Sequence, residues 1–435
     1  MAHAFAEQDT SGTDLASIEP DHGPAEAASS ETARSVPRIS IQAFCDSEAF
    51  AQVVQVTAED RRLAKAHVSV HMGGATAAVL HYQDSPTPNL IVLETNGSAE
   101  DVLAGLDSLA ECCDAGTKVI AVGRMNDVVL YRELLRRGVG EYLVAPVSPI
   151  QLIESISNLY NDPEADPIGK VVAFIGGKGG VGSSTLCHNV AWMISETLRS
   201  DVVIADFDLA FGTTGLDFNQ DPVQGIADAL TATDRLDEVL LDRLLTKCTD
   251  YLSIFAAPVA VDRDFEISPD ACDSVIDVVR QSVPYVALDL PHNWSSWNKH
   301  MLLQADEIVI TATPDLACLR NTKNLIDFLK QARANDAPPL VVLNMVGMPR
   351  RPEISVEDFT GGLELQAAGI IEFDAEAFGH AANNGQMLAE RDGKSSAVQL
   401  MQELANRLTH RRELTSEPKR SGAIQALLEK LPFTR

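Results

Sequence analysis

The chain has 435 residues, more than one ordinary domain holds, so two folded units with tails are expected. A hydrophobic fraction of 45% is enough to build cores and excludes a largely disordered protein. Lysine and arginine number 34 against 62 aspartates and glutamates, and the net charge of −28 argues against a protein that coats DNA, which needs a basic surface to release counterions. The seven cysteines are scattered without CxxC or Cys/His spacing, as in a protein of a reducing cytoplasm. Met1 to Asp21 holds no lysine or arginine and no apolar stretch, so no signal peptide is expected there. No run of about 18 apolar residues occurs to span a membrane.

Residues 1–35 are rich in Ala, Ser, Glu and Asp and read as a disordered acidic tail, because they offer too little apolar surface to offset ordering entropy. Over 36–160, short apolar runs stand at Ile39–Phe44, Val68–His71, Leu90–Leu93, Val119–Val122 and Tyr142–Val144. Between two of them, Val102, Leu103, Leu106 and Leu109 share one face of a helix predicted over Ala99–Ala110. Strands alternating with helices imply a parallel sheet covered on both faces. Two prolines and three acids make 161–167 a linker. A second, larger α/β unit is predicted over 168–412, with apolar runs at Val171–Ile175, Val202–Ala205, Leu252–Phe255, Tyr285–Leu290, Ile308–Thr311, Leu340–Leu343 and Ile370–Ile371. Their continuous apolar character suits strands buried on both faces. Helices are predicted over Leu186–Glu196 and Cys318–Lys330. The chain ends in a polar tail, 413–435, with a short amphipathic helix.

The first strand of the larger unit runs into Gly176-Gly-Lys-Gly-Gly-Val-Gly-Ser-Ser-Thr185 and then a helix, the context a phosphate-binding loop requires. Glycine lets the backbone curl so that successive N–H groups converge on phosphate oxygens, and the helix dipole adds to the attraction. Gly177, Lys178, Gly179, Gly180, Val181, Gly182, Ser183, Ser184 and Thr185 are the candidate nucleotide-binding residues. Ser184 stands where a hydroxyl would hold Mg²⁺. Ser183 occupies the position of the usual loop lysine, which predicts weaker binding and slow hydrolysis. Val203-Ile-Ala-Asp-Phe-Asp208 ends a strand with two carboxylates at the spacing that aims both at a ligand crevice, although either could instead cap a helix. Val286-Ala-Leu-Asp289 is a hydrophobic strand ending in the acid that would hold Mg²⁺ through water. Val341-Val-Leu-Asn344 ends a later strand in an amide, a group suited to a base edge but also a common turn residue.

The early lysine and the missing late one resemble the deviant Walker A loop of the MinD/ParA family. That resemblance implies that Lys178 acts in trans on the partner's phosphates, so that ATP binding brings a homodimer. It further implies that Asp208 orients the attacking water and that Asn344 hydrogen-bonds adenine. Leu288-Asp-Leu-Pro-His-Asn-Trp-Ser-Ser-Trp297, Lys178-Gly-Gly-Val-Gly-Ser-Ser-Thr185, Ala210-Phe-Gly-Thr213 and Ala381-Ala-Asn-Asn-Gly-Gln-Met-Leu388 are similar to the CpaE/TadZ proteins of Flp (tight-adherence) pilus assembly. What this implies is a cytoplasmic ATP-binding factor that places the pilus secretion machinery, often at a cell pole, with slow ATP hydrolysis. Two other readings stand beside it: a nucleotide-bound scaffold that scarcely hydrolyses, and a ParA- or MinD-type partition or septum-site ATPase.

The smaller unit resembles response-regulator receiver domains, of flavodoxin-like fold, but lacks their chemistry. Glu94 takes the phosphoacceptor position, Gly123 the hydroxyl position and Ala145 the lysine position, with Asp46 the one clear acid near the first strand's end. Glutamate is one methylene too long for the same in-line geometry, so a binding module is expected. In the tail, Ile424, Leu427, Leu428 and Leu431 form a helical stripe behind Arg411, Arg412, Lys419 and Arg420. A peripheral membrane helix or a docking helix fits that pattern. His292, Trp294 and Trp297 flank the Asp289 segment and read as loop, packing or interface residues.

Overall fold

The computed structural model describes residues 36–409 apart from Arg38, Asp84, Ala115, 161–167 and 259–264. The acidic tail, the linker and the C-terminal stripe predicted above lie outside the described residues.

The first sheet consists of β1 (Ser40–Cys45), β2 (His67–Met72), β3 (Leu90–Glu94), β4 (Lys118–Gly123) and β5 (Glu141–Val144). All pairings are parallel, in the order β2-β1-β3-β4-β5 of flavodoxin-like folds. Alternation explains the unbroken apolar runs. Ile41, Leu90, Val92, Ile120 and Val122 enter one core, while Phe44, Ile91, Leu93 and Ala121 enter the core on the other face. The helix Ala99–Ala110 keeps its predicted limits because Ser98 and Asp101 form a reciprocal capping box.

The second sheet holds β6 (Lys170–Gly176), β7 (Val202–Asp206), β8 (Thr246–Lys247), β9 (Leu252–Phe255), β10 (Tyr285–Asp289), β11 (Glu307–Ala312), β12 (Leu340–Val346) and β13 (Gly369–Glu372). The order is β13-β12-β11-β6-β10-β7-β9-β8, parallel except for β8. Two-residue β8 was not expected, since it is too short to carry a period. Val171, Ala173 and Ile175 feed one core and Val172 and Phe174 the other, so β6 is buried on both faces between β10 and β11. The chain reverses direction across the sheet at this central strand. Its carboxyl end is therefore the crevice in which open α/β sheets bind ligands.

The two sheets meet through charge. Arg61 and Arg62, in the turn before β2, reach Asp336 in the loop before β12; Arg61 Nε lies 2.9 Å from it, and Arg333 Nε approaches at 2.7 Å. Arg61 also donates to the Gln304 carbonyl at 3.2 Å, and Asn335 donates to Asp60 at 3.0 Å. These residues lie at the amino ends of both sets of strands, so both carboxyl ends face away from the seam. Burial would raise the Asp336 carboxyl, but the charges of Arg61, Arg333 and Arg62 outweigh it and hold it at about 2. A depressed folded pKa means stabilisation present above the unfolded value near 4 and lost as pH falls toward 2, on the order of 2 kcal/mol. Asp336→Asn should cost about 3 kcal/mol at pH 7, since three guanidiniums lose their shared anion. It should also flatten the acid limb of stability between pH 4 and 2, measured by urea unfolding across that range.

Candidate functional site

Gly177 to Gly182 joins β6 to the helix Ser183–Trp192, which starts earlier than the predicted Leu186. Gly180 and Gly182 have φ of +77° and +87°, the left-handed region that glycine enters without strain. No side chain caps the first turn of the following helix. Its N–H groups therefore point into the loop, and the positive end of the dipole goes with them. Ser183 Oγ is buried and without a hydrogen-bond partner among the described residues. Open space beside Gly179 and Gly180 completes a cradle for a phosphate-bearing group. The chemistry of these groups fits an anion.

Beneath the loop the acids converge. Ser184 Oγ donates to Asp289 Oδ1 at 3.1 Å, bringing together the two residues expected at the Mg²⁺. Asp206 is fully buried and accepts from Thr214 Oγ1 at 2.7 Å and from the Asp208 N–H at 3.0 Å. Burial first, and the charge of Asp289 second, raise its carboxyl. Asp208 is half-buried, accepts from the Phe211 N–H at 3.1 Å, and is also raised chiefly by burial. It is the carboxylate of the pair that remains near the surface.

One member of the site escaped the sequence reading. His188 is fully buried, with Nδ1 2.7 Å from Asp217 and Nε2 3.0 Å from Thr214 Oγ1 and 3.3 Å from Asp289 Oδ2. Burial pushes its pKa down, yet hydrogen bonds to Asp217 and Asp289 outweigh this and carry it to about 10. The carboxylates around it thus favour its charged form. A signal existed: His188 follows Ser184 by four residues, which places both on one helix face.

Four predicted residues have partners that the sequence did not show. Asn344 is buried, donates to the Val181 carbonyl at 2.8 Å, and accepts from the Met345 N–H at 2.8 Å. Its amide braces the loop, using one of its two N–H donors and one of the two acceptor sites of its oxygen. Beside it lies a cavity of about 280 Å³ lined by Gly182, Thr185, Asn189, Asn344, Phe373 and Phe378, among others. Lys178 does not extend outward; its Nζ pairs with Asp315 of the same chain at 2.6 Å. Burial would raise Asp315, but the Lys178 and Thr313 hydrogen bonds lower it overall. The Asp206–Asp208 pair splits, with one acid buried on Thr214 and the other at the rim.

The flanking residues divide by burial. His292 Nδ1 hydrogen-bonds the Gly176 carbonyl at 2.9 Å, tying the segment after β10 to the loop. Trp297 is buried and stacks on Phe207 with ring centroids 5.8 Å apart, whereas Trp294 is 59% exposed against Phe328.

In the smaller unit Glu94 is buried and accepts from Asp46 N and Ser47 N at 2.8 Å each and from Ser47 Oγ at 2.7 Å. Both carboxylate oxygens serve to start the helix Glu48–Ala58. A side chain at Gly123 would meet the Tyr142 hydroxyl at 2.5 Å. The full chain should therefore take up no label from acetyl phosphate; labelling that vanishes in Glu94→Ala would overturn this.

Residues 169–342 match a protein-family model described as an AAA domain. The chain is 26% identical over 250 residues to the septum site-determining protein MinD of Synechocystis, covering 55% of this chain and 90% of that protein. A ParA family ATPase from Chlorobium tepidum covers 55% of this chain and 98% of its own at 23% identity, with a TM-score of 0.50. A pilus assembly protein CpaE from Caulobacter crescentus is 49% identical across 98% of its own chain and 30% of this one, with a TM-score of 0.29.

Proposed function

Because the chain belongs to the CpaE/TadZ family within the MinD/ParA superfamily, we propose that it is an ATP-binding factor that positions Flp pilus assembly and dimerises on nucleotide. The observation that supports this best is the glycine loop running into an uncapped helix directly above the Ser184–Asp289 pair. The loop N–H groups bind the phosphates, and the adenine enters the cavity between Gly182 and Phe378. Ser184 and Asp289 would hold Mg²⁺, which supplies charge neutralisation for the triphosphate. Asp208, the rim carboxylate, orients water. Lys178 exchanges Asp315 for a phosphate of the neighbouring copy. With Ser183 in the lysine's place, one charged donor is missing, which corresponds to a rate loss on the order of 10²–10³.

A scaffold that holds nucleotide and scarcely turns it over is favoured by one observation. His188 Nε2 lies 3.3 Å from Asp289 Oδ2, so a protonated imidazole would compete with the metal for that carboxylate. No described helix is long and apolar enough to cross a membrane, and partners are expected in the pilus secretion machinery or in a polar protein.

Sedimentation of the full chain with and without ATP–Mg²⁺, with phosphate release followed in the same samples, tests the reading. Wild type should dimerise with slow release. Lys178→Ala should bind nucleotide as a monomer, because its loop backbone is intact while the trans contact is gone. A chain that neither binds nor changes mass at millimolar ATP would end the proposal, and dimerisation without release would select the scaffold.

A further inference from the structure

The seam between the two units encloses a cavity of about 270 Å³ remote from the glycine loop. Its lining includes six cationic side chains, Arg61, Arg62, Lys170, Lys330, Arg333 and Arg407, against three carboxylates, Asp306, Glu307 and Asp336. A surplus of positive charge thus collects in a chain whose net charge is −28. Asp336 is shared by three guanidiniums, Asp60 takes Arg62 at 3.1 Å, Asp306 lies 3.6 Å from Arg61 and 3.3 Å from Arg280, and Glu307 pairs with Lys170 at 2.5 Å, so the surplus rests on Lys330 and Arg407. At the mouth, Lys330 and Arg407 are exposed and have no hydrogen bond or ion pair among the described residues. Buried Ile308, Leu329 and Leu340 form an apolar part of the wall.

We infer that this seam cavity binds a small molecule carrying a diphosphate, held at the mouth by Lys330 and Arg407, beside the carboxylate-paired guanidiniums of Arg61, Arg62 and Arg333. Fixed guanidinium forks match phosphate oxygens, and the apolar wall can take the body of the ligand. The volume suits a mononucleotide-sized or smaller molecule. Such a ligand bridges both units and would tighten their contact.

The probe is inorganic pyrophosphate, titrated by calorimetry at fixed ionic strength into the full chain with its glycine loop saturated by ATP–Mg²⁺. One further site is expected, weakened about tenfold or more in Lys330→Ala/Arg407→Ala, which changes two exposed side chains outside the nucleotide site. The same titration into Gly182→Val, with the loop disabled, should give the same site. Adenosine diphosphate in that variant reports whether the apolar wall adds affinity. No binding in either background, or binding indifferent to Lys330 and Arg407, overturns the inference. So does binding that appears only in Asp162→Asn/Glu164→Gln/Asp166→Asn, because the chain's own acidic linker would then be the occupant.

Discussion

Gly182→Val should abolish nucleotide binding, raising Kd at least about 100-fold, or roughly 3 kcal/mol. Two causes act together. Gly182 has φ of +87°, where a β-branched residue is strained. A Cβ there would also lie 2.5 Å from Asn344 Nδ2, far inside van der Waals contact. Asn344 cannot recoil freely, since that nitrogen donates to the Val181 carbonyl within the same loop. Relief must therefore come from the loop itself, and any shift displaces the N–H groups of the first helical turn. Titration with a fluorescent ATP analogue measures the loss, while circular dichroism verifies that the sheets survive. A Kd within threefold of wild type would show that the curl of this loop does not govern binding.

The second large effect is on stability. His188→Leu should cost about 3–4 kcal/mol near neutral pH without Mg²⁺ or nucleotide, because it leaves Asp289 and Asp217 without their cation in a buried site. The pH dependence is specific. A histidine raised to about 10 in the folded state stabilises fully below its unfolded value near 6.5, and the contribution declines as pH rises toward 10. The deficit of the variant should therefore be widest at pH 6 and narrow steadily up to pH 10, as urea unfolding would reveal. A deficit that does not change over that range would mean that packing, and not the imidazolium charge, carries the role of His188. The same site connects to function, because a tight His188–Asp289 contact holds the acid that Ser184 also bonds.

The arrangement along the helix Leu316–Ala332 links these observations to the seam. Its amino end carries Asp315, which holds Lys178, and Asn321 donates to the Gly177 carbonyl at 3.0 Å. Its carboxyl end leads into Arg333 and Asp336, which hold Arg61 and Arg62. One helix of 17 residues, about 25 Å long, thus touches both the glycine loop and the contact with the smaller unit.

How far the sequence could be read depended on the range of each interaction. Twelve strands showed as apolar runs because each is a local pattern, whereas β8 has two residues and no pattern to show. Asp206 and Asp208 were both visible, but their division of labour was not, since it rests on Thr214 and on Asp289. His188 looked like an ordinary helix residue until the acids of other strands closed around it.

Strand, glycine turn and helix lie within about twenty consecutive residues, so backbone stereochemistry alone specified the curled glycine loop, and residue identity alone set Glu94, Gly123 and Ala145 where a receiver would carry its acceptor, hydroxyl and lysine. Only the tertiary structure decided what those groups touch. Ser184 meets Asp289 across 105 positions, Lys178 meets Asp315 across 137, Asn344 meets Val181 across 163, and Arg61 meets Asp336 across 275. Contacts at such separations come from how sheets and helices pack, and no local periodicity encodes them.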